Sequence, residues 1–201
     1  MTHSGRLIVA ITGASGAAYA LRFLKEASGY YEDIYLMLTD QAVQVIGVET
    51  NRSIDPAHLT VETIMGSSAP NIHLLDRKNF FTPPASGSFR HEGMVIVPCS
   101  MGTVGRIAHG ISDDLITRSA DVCLKERRRL IIVPRETPWN LIHLRNLTLL
   151  AEAGATILPA CPGFYHNPQS VEDMVDFVAA RILQQLDIPQ NIIPAWQSEE
   201  G

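Results

Sequence analysis

The sequence predicts a doubly wound α/β domain, a parallel sheet in the middle layer with helices on both faces. Two observations predict it. Short β-branched runs alternate with helix-length segments along the chain, the signature of strand–helix–strand units. The runs at 7–11, 94–97 and 130–133 are also continuously apolar. Strands buried on both faces read that way, whereas strands with one wet face alternate. No linker-like stretch or internal repeat divides the chain, so residues 1–186 read as one domain and 187–201 as a Pro-containing tail with one large aromatic, Trp196.

Taken in order, strand 7–11 leads into a helix over 16–28, and strand 33–38 into a helix over 40–48. Asp55 before Pro56 reads as an N-cap followed by proline at the first helical position, opening a helix towards Met65. Residues 71–75 form a short strand and 94–97 a strongly buried one; 113–127 are helical and 130–133 are again a buried strand. Thr137-Pro138 is expected to start a helix running to about 152. Strand 155–158 is stopped by Pro159, and Ser170 with Asp173 forms a capping box for a last helix to about Leu186.

Composition excludes several function classes. Hydrophobic residues make up 46% of the 201, but charged residues only 18%, against about 25% in average domains. A surface short of charge fits burial against other subunits. Net charge is −5, and no basic stripe offers nucleic acid a footprint. The one dense basic run, 125–129, closes a helix, where cations meet the negative dipole end. Three cysteines without CxxC spacing suit reduced thiols and a cytoplasmic location. There is no apolar run long enough to span a bilayer. The seven histidines show no paired ligand spacing, so no metal is expected.

Doubly wound sheets bind ligands at the carboxyl ends of their strands, so the loops that follow strands are where function is sought. Thr12-Gly13-Ala14-Ser15-Gly16-Ala17 follows the first strand and opens a helix. Its glycines let the backbone approach a ligand, and the helix start offers free N–H groups. It does not complete a dinucleotide fingerprint, because Tyr19 stands near the place of the third glycine. Thr39-Asp40 ends the second strand, as a helix cap or a ligand contact. Ser100, Met101, Gly102 and Thr103 follow the most apolar strand and make a donor-rich nest at another helix start, suited to phosphate. Arg135-Glu136 lies between a buried strand and a helix; it is either a local ion pair or a guanidinium for an anion beside a carboxylate for proton transfer. Residues 159–168 form a Pro/Gly/aromatic loop containing Tyr165 and His166, and residues 83–88 are a rigid segment with hydroxyls. By spacing alone Arg181 is a solvated helix charge.

Together these segments resemble the UbiX-type flavin prenyltransferases. The matches are Thr-Gly-Ala-Ser-Gly-Ala at 12–17, Pro-Pro-Ala-Ser-Gly-Ser at 83–88, Pro-Cys-Ser-Met-Gly-Thr at 98–103 and Ala-Asp-Val-Cys-Leu-Lys-Glu-Arg-Arg at 120–128. Val-Pro-Arg-Glu-Thr-Pro at 133–138, Pro-Gly-Phe-Tyr-His at 162–166 and Gln-Ser-Val-Glu-Asp-Met-Val-Asp-Phe-Val at 169–178 follow in order. The resemblance implies a flavodoxin-like (Rossmann-like) fold, a dodecamer, and metal-independent transfer of a dimethylallyl group from dimethylallyl monophosphate to N5 and C6 of reduced FMN, with the product passed to a UbiD-type decarboxylase. It further implies that Gly13, Ala14, Ser15, Thr39, Ser100, Met101, Gly102, Thr103 and Arg135 hold FMN. Ser86, Arg118, Lys125, Tyr165 and Arg181 would surround the prenyl phosphate. Glu49 and Glu136 are the implicated carboxylates, and Trp196 would close the site from a neighbouring subunit. No Asp-rich DDxxD run is present, which fits a monophosphate donor. The rival expectations are an FMN-dependent decarboxylase of the same superfamily, a nicotinamide reductase and a non-catalytic flavin carrier. A short-chain reductase would need a Tyr-x-x-x-Lys pair, which this sequence lacks.

Overall fold

The computed structural model describes residues 3–193. Six parallel strands form one sheet in the order β3-β2-β1-β4-β5-β6. They are β1 His3–Ile11, β2 Tyr31–Leu38, β3 Ile72–Leu75, β4 Gly93–Cys99, β5 Leu130–Pro134 and β6 Thr156–Ile157. The helices are α1 Ala17–Ala27, α2 Asp40–Glu49, α3 Val61–Met65, α4 Met101–Ala108, α5 Leu115–Lys125, α6 Leu141–Glu152 and α7 Val171–Gln185. With the edge strand β3 set aside, this is the flavodoxin strand order.

The alternation of β1 explains why its sequence is apolar throughout. Leu7, Val9 and Ile11 face a core shared with α1, α2, α3 and α7, while Ile8 and Ala10 face a second core with α4, α5 and α6. Both sides of the strand are therefore buried. The chain winds outwards one way from β1 to β2 and the other way from β4 onwards. β1 and β4 pair side by side, Leu7 opposite Gly93 through Ala10 opposite Ile96, so the switch point and its crevice lie at their carboxyl ends.

Two expected helices start elsewhere. The segment after Asp55 forms only a 3₁₀ turn, Pro56–His58, with the Asp55 carboxylate accepting from Ala57 N at 2.9 Å. Thr60 is then extended and caps the separate α3, with Thr63 closing the box. A second, better cap interrupts the first helix. Thr137-Pro138 is a cis peptide rather than a helix start. The helix α6 begins at Leu141, where Asn140 Oδ1 accepts from His143 N at 2.8 Å. Ser170 and Asp173 cap α7 as expected. On α6, Leu141, Ile142, Leu144 and Leu149 are exposed, an apolar face in keeping with the low charge content.

Candidate active site

The two central loops are fastened to each other by Thr12, which is fully buried. Its N–H and its hydroxyl both donate to Pro98 O, at 3.2 and 2.9 Å. The same hydroxyl accepts from Ser100 N at 2.7 Å. Gly13 must be glycine, since a Cβ there would lie 2.5 Å from Gln41 Cβ. Gly16 sits at φ 113°, a left-handed conformation at the start of α1.

Ser100 caps α4, its Oγ accepting from Thr103 N at 3.4 Å and lying 3.1 Å from Thr103 Oγ1. With the N–H groups of Ser100 and Thr103 engaged, Met101 and Gly102 hold the remaining donors of the helix start. Nothing lies within 4 Å of where a Gly102 Cβ would be, so the approach is open. Thr39 is buried and caps α2, accepting from Ala42 N at 3.1 Å; its own O–H is left to donate.

Glu49 closes α2 and reaches the start of α1. Its carboxylate accepts from Gly16 N at 3.0 Å and Ala17 N at 2.7 Å. The anion position of the first helix is thus filled by the protein itself, which leaves the α4 nest as the place for an external phosphate. Arg135 does not pair with Glu136. Its Nε donates to Ser15 O at 3.1 Å and its N–H to Cys99 O at 3.3 Å, so it ties together the loops after β1, β4 and β5. Glu136 is exposed and accepts from Thr137 N at 3.0 Å.

Tyr19, in the first turn of α1, joins this group, although the sequence reading noted it only as standing near the place of a third glycine. Burial, and then the Cys161 thiol, push its phenol up, against the pull of Arg135. The only signal for it was its place one turn after Gly16.

The residues expected around a prenyl phosphate form two separate clusters. Along α5, Arg118 Nε donates to Ala85 O at 3.1 Å, Ser86 Oγ lies 2.8 Å from Ser88 Oγ, and Lys125 pairs with Glu126. A Cβ on Gly87 would lie 2.9 Å from Lys125 Nζ, so the 83–88 segment lies against the end of that helix. The second cluster stands on α7. The Tyr165 ring is 5.6 Å from Phe177, and Arg181, one turn on from Phe177, donates to Gln184 Oε1 at 2.6 Å. The helices α5 and α7 pack on opposite faces of the sheet. Moreover, α5 runs against the strands and ends at Lys125, five residues before β5 begins at Leu130, so Lys125 lies towards their amino ends. A single chain does not bring Lys125 to the loops at the carboxyl ends of its strands. Trp196 lies outside the described residues.

Among the described residues no cluster of His, Cys, Asp or Glu is arranged to hold a metal ion, and no helix is long and apolar enough to cross a membrane.

The Flavoprotein family model matches residues 1–183. The flavin prenyltransferase UbiX of Pseudomonas aeruginosa is 44% identical over 200 residues, covering 98% of this chain and 96% of that protein. The chain belongs to the UbiX-type flavin prenyltransferase family. Within the family, the crystal structure of AnUbiX (PadA1) in complex with FMN and dimethylallyl pyrophosphate superposes with a TM-score of 0.84 at 37% identity, covering 98% of this chain and all, 100%, of that one. A dodecameric FMN-dependent UbiX-like decarboxylase from Escherichia coli O157:H7 gives a TM-score of 0.84 at 34% identity, covering 96% and 100%.

Proposed function

We propose that this flavin prenyltransferase moves a dimethylallyl group from dimethylallyl monophosphate to N5 and C6 of reduced FMN, and that the prenylated flavin serves a UbiD-type decarboxylase. The observation that carries the reading is the pair of loops at the switch point, locked together by Thr12 and spanned by Arg135. The residues present fit FMN: Gly13 and Gly102 leave room for close approach, and the α4 nest suits a phosphate. Gly13, Ala14, Ser15, Thr39 and Arg135 would hold the ring side, and Ser100, Met101, Gly102 and Thr103 the phosphate side. Reduced flavin, when bound, supplies the nucleophilic ring positions.

The protein's part is to steady the leaving phosphate and to move a proton. Lys125, Arg118 and Arg181, with the hydroxyls of Tyr165 and Ser86, offer charge and donors to phosphate oxygens as the allylic C–O bond lengthens. Because these groups stand on two faces and towards two ends of the sheet, the reading includes a homo-oligomer. In it, the α5 cluster of one protomer meets the flavin loops of another. The apolar face of α6 and the dodecameric relative support this, and Trp196 of the tail would add to the same junction. Glu49 has its carboxylate engaged by two backbone amides. Glu136 keeps more acceptor capacity and is the better proton acceptor.

The test is anaerobic. Protein, reduced FMN and dimethylallyl monophosphate are mixed and the flavin mass is followed, with the diphosphate as a second arm. A gain of one prenyl unit is expected, and the faster arm names the donor. Bound flavin with no mass gain in either arm would point to a decarboxylase or a carrier instead.

A further inference from the structure

Beside the α4 nest lies a cleft of about 180 Å³ lined by Thr39, Gln41, Arg77, Arg106, Asp113 and Asp114. Its two arginines are held differently. Arg77 is committed at its outer nitrogens, with Nη2 2.6 Å from Asp40 and Nη1 3.8 Å from Asp114, although its Nε, like that of Arg106, is buried without a hydrogen bond. Asp114 is itself used as the cap of α5, accepting from Thr117 N at 2.8 Å. The guanidinium of Arg106 is held loosely. Its Nε is buried without a hydrogen bond, 3.6 Å from Asp113 Oδ1, and Nη2 stands 3.5 Å from Thr103 Oγ1. Side chains on a helix lean towards its N-terminus, so this guanidinium reaches back along α4 to the Thr103 hydroxyl, which itself lies 3.1 Å from that of Ser100.

We propose that Arg106 binds the flavin 5′-phosphate and sets the preference for the mononucleotide over riboflavin. The proposal rests on the reading that the start of α4 holds that phosphate. A phosphate seated on the free N–H groups of Met101 and Gly102 and the Ser100 and Thr103 hydroxyls has this cation one turn behind it. The N–H groups of Arg106 then gain a charge-assisted partner that Asp113, at 3.6 Å, does not provide. The carboxylates nearby do not prevent this. Asp40 and Asp114 are matched by Arg77 and the α5 cap, and Asp113 is 60% exposed, so its repulsion is screened by salt. Asp113 serves to orient the guanidinium from its Nε side.

The experiment measures oxidised FMN and riboflavin binding by fluorescence quenching, at low and high salt, in the full chain and in Arg106→Gln, Arg106→Lys and Asp113→Asn. Arg106→Gln is expected to lose about tenfold in FMN affinity, to keep riboflavin affinity within about twofold, and to flatten the salt dependence of FMN binding. Arg106→Lys should recover part of the loss, and Asp113→Asn should not lose FMN preference as Arg106→Gln does. An unchanged FMN-to-riboflavin ratio in Arg106→Gln, or an equal loss for both ligands, would overturn the proposal. If the parent chain itself binds no flavin, or binds both ligands alike, the reading of the α4 phosphate site fails instead.

Discussion

The two ends of the sheet are built to different degrees of completion. At the carboxyl end, Thr12 is buried and bonded to two partners, Gly13 is closely packed against Gln41, and Arg135 crosses three loops. This half of the site is closed within one chain. Towards the amino end, Ser86 is exposed and Lys125 pairs with its neighbour Glu126. Groups that neutralise a leaving phosphate are useful only beside the reacting atoms. The difference is what the proposed function turns on: one chain completes the carboxyl-end loops proposed for flavin, whereas the groups proposed for the prenyl phosphate are left for an assembly to bring to them.

The strongest way to break this comparison is to disable each end separately and mix the products. Arg135→Ala and Lys125→Ala should each lower turnover by about 100-fold or more, the first through flavin binding and the second through the prenyl phosphate. If the two residues act from different subunits, randomly mixed oligomers should regain about a quarter of the parent activity, because some junctions receive both intact residues. A site contained in one chain would gain nothing on mixing, and activity assays of reassembled mixtures decide. Next in size, Glu136→Gln should slow alkylation by about 100-fold with FMN affinity unchanged by titration. Normal turnover would pass the proton role to another group, the departing phosphate first.

Much of this arrangement was legible in the chain, for physical reasons that also mark the limits. Strands buried on both faces advertise themselves as unbroken apolar runs, as 94–97 and 130–133 do, and the Ser170–Asp173 box announces α7. The start of α6 was misplaced because Thr137-Pro138 imitates a cap followed by proline, while the working cap is Asn140. The hold of Glu49 on α1 had no local signal, since 33 residues separate it from Gly16. Arg106 was passed over because the reading of its loop stopped at Thr103, one turn short. The separation of Lys125 from the carboxyl-end loops depends on the direction of α5, which only the assembled topology reveals.

Smaller effects sharpen the independence of the two ends. At the carboxyl end, Thr12→Val removes the acceptor of Ser100 N, leaving a buried amide unpaired. The cost should be about 1–3 kcal/mol, a fall in Tm of roughly 3–10 °C, accompanied by weaker FMN binding because the α4 nest loses its anchor. A fall in Tm with FMN affinity intact would show that the loops do not need this fastening to hold flavin.

At the amino end, Tyr31 offers the counterpart. Its phenol is pushed up to about 12, first by burial and then by Glu92, with Arg129 pulling the other way and Asp187 adding to the rise. A raised phenol means that the folded protein keeps its proton while the unfolded chain releases it. Stability from this group is therefore whole below pH 10, the ordinary tyrosine value, and is lost as pH rises from there to about 12. The loss is on the order of 2 kcal/mol. Tyr31→Phe cannot ionise, so its denaturant midpoint should fall less over that window than the parent's, while FMN affinity at neutral pH stays the same. If the variant followed the parent's alkaline decline, the loss would belong to other groups. If flavin affinity moved as well, the two ends would be coupled through β2, and the division of labour drawn above would fail.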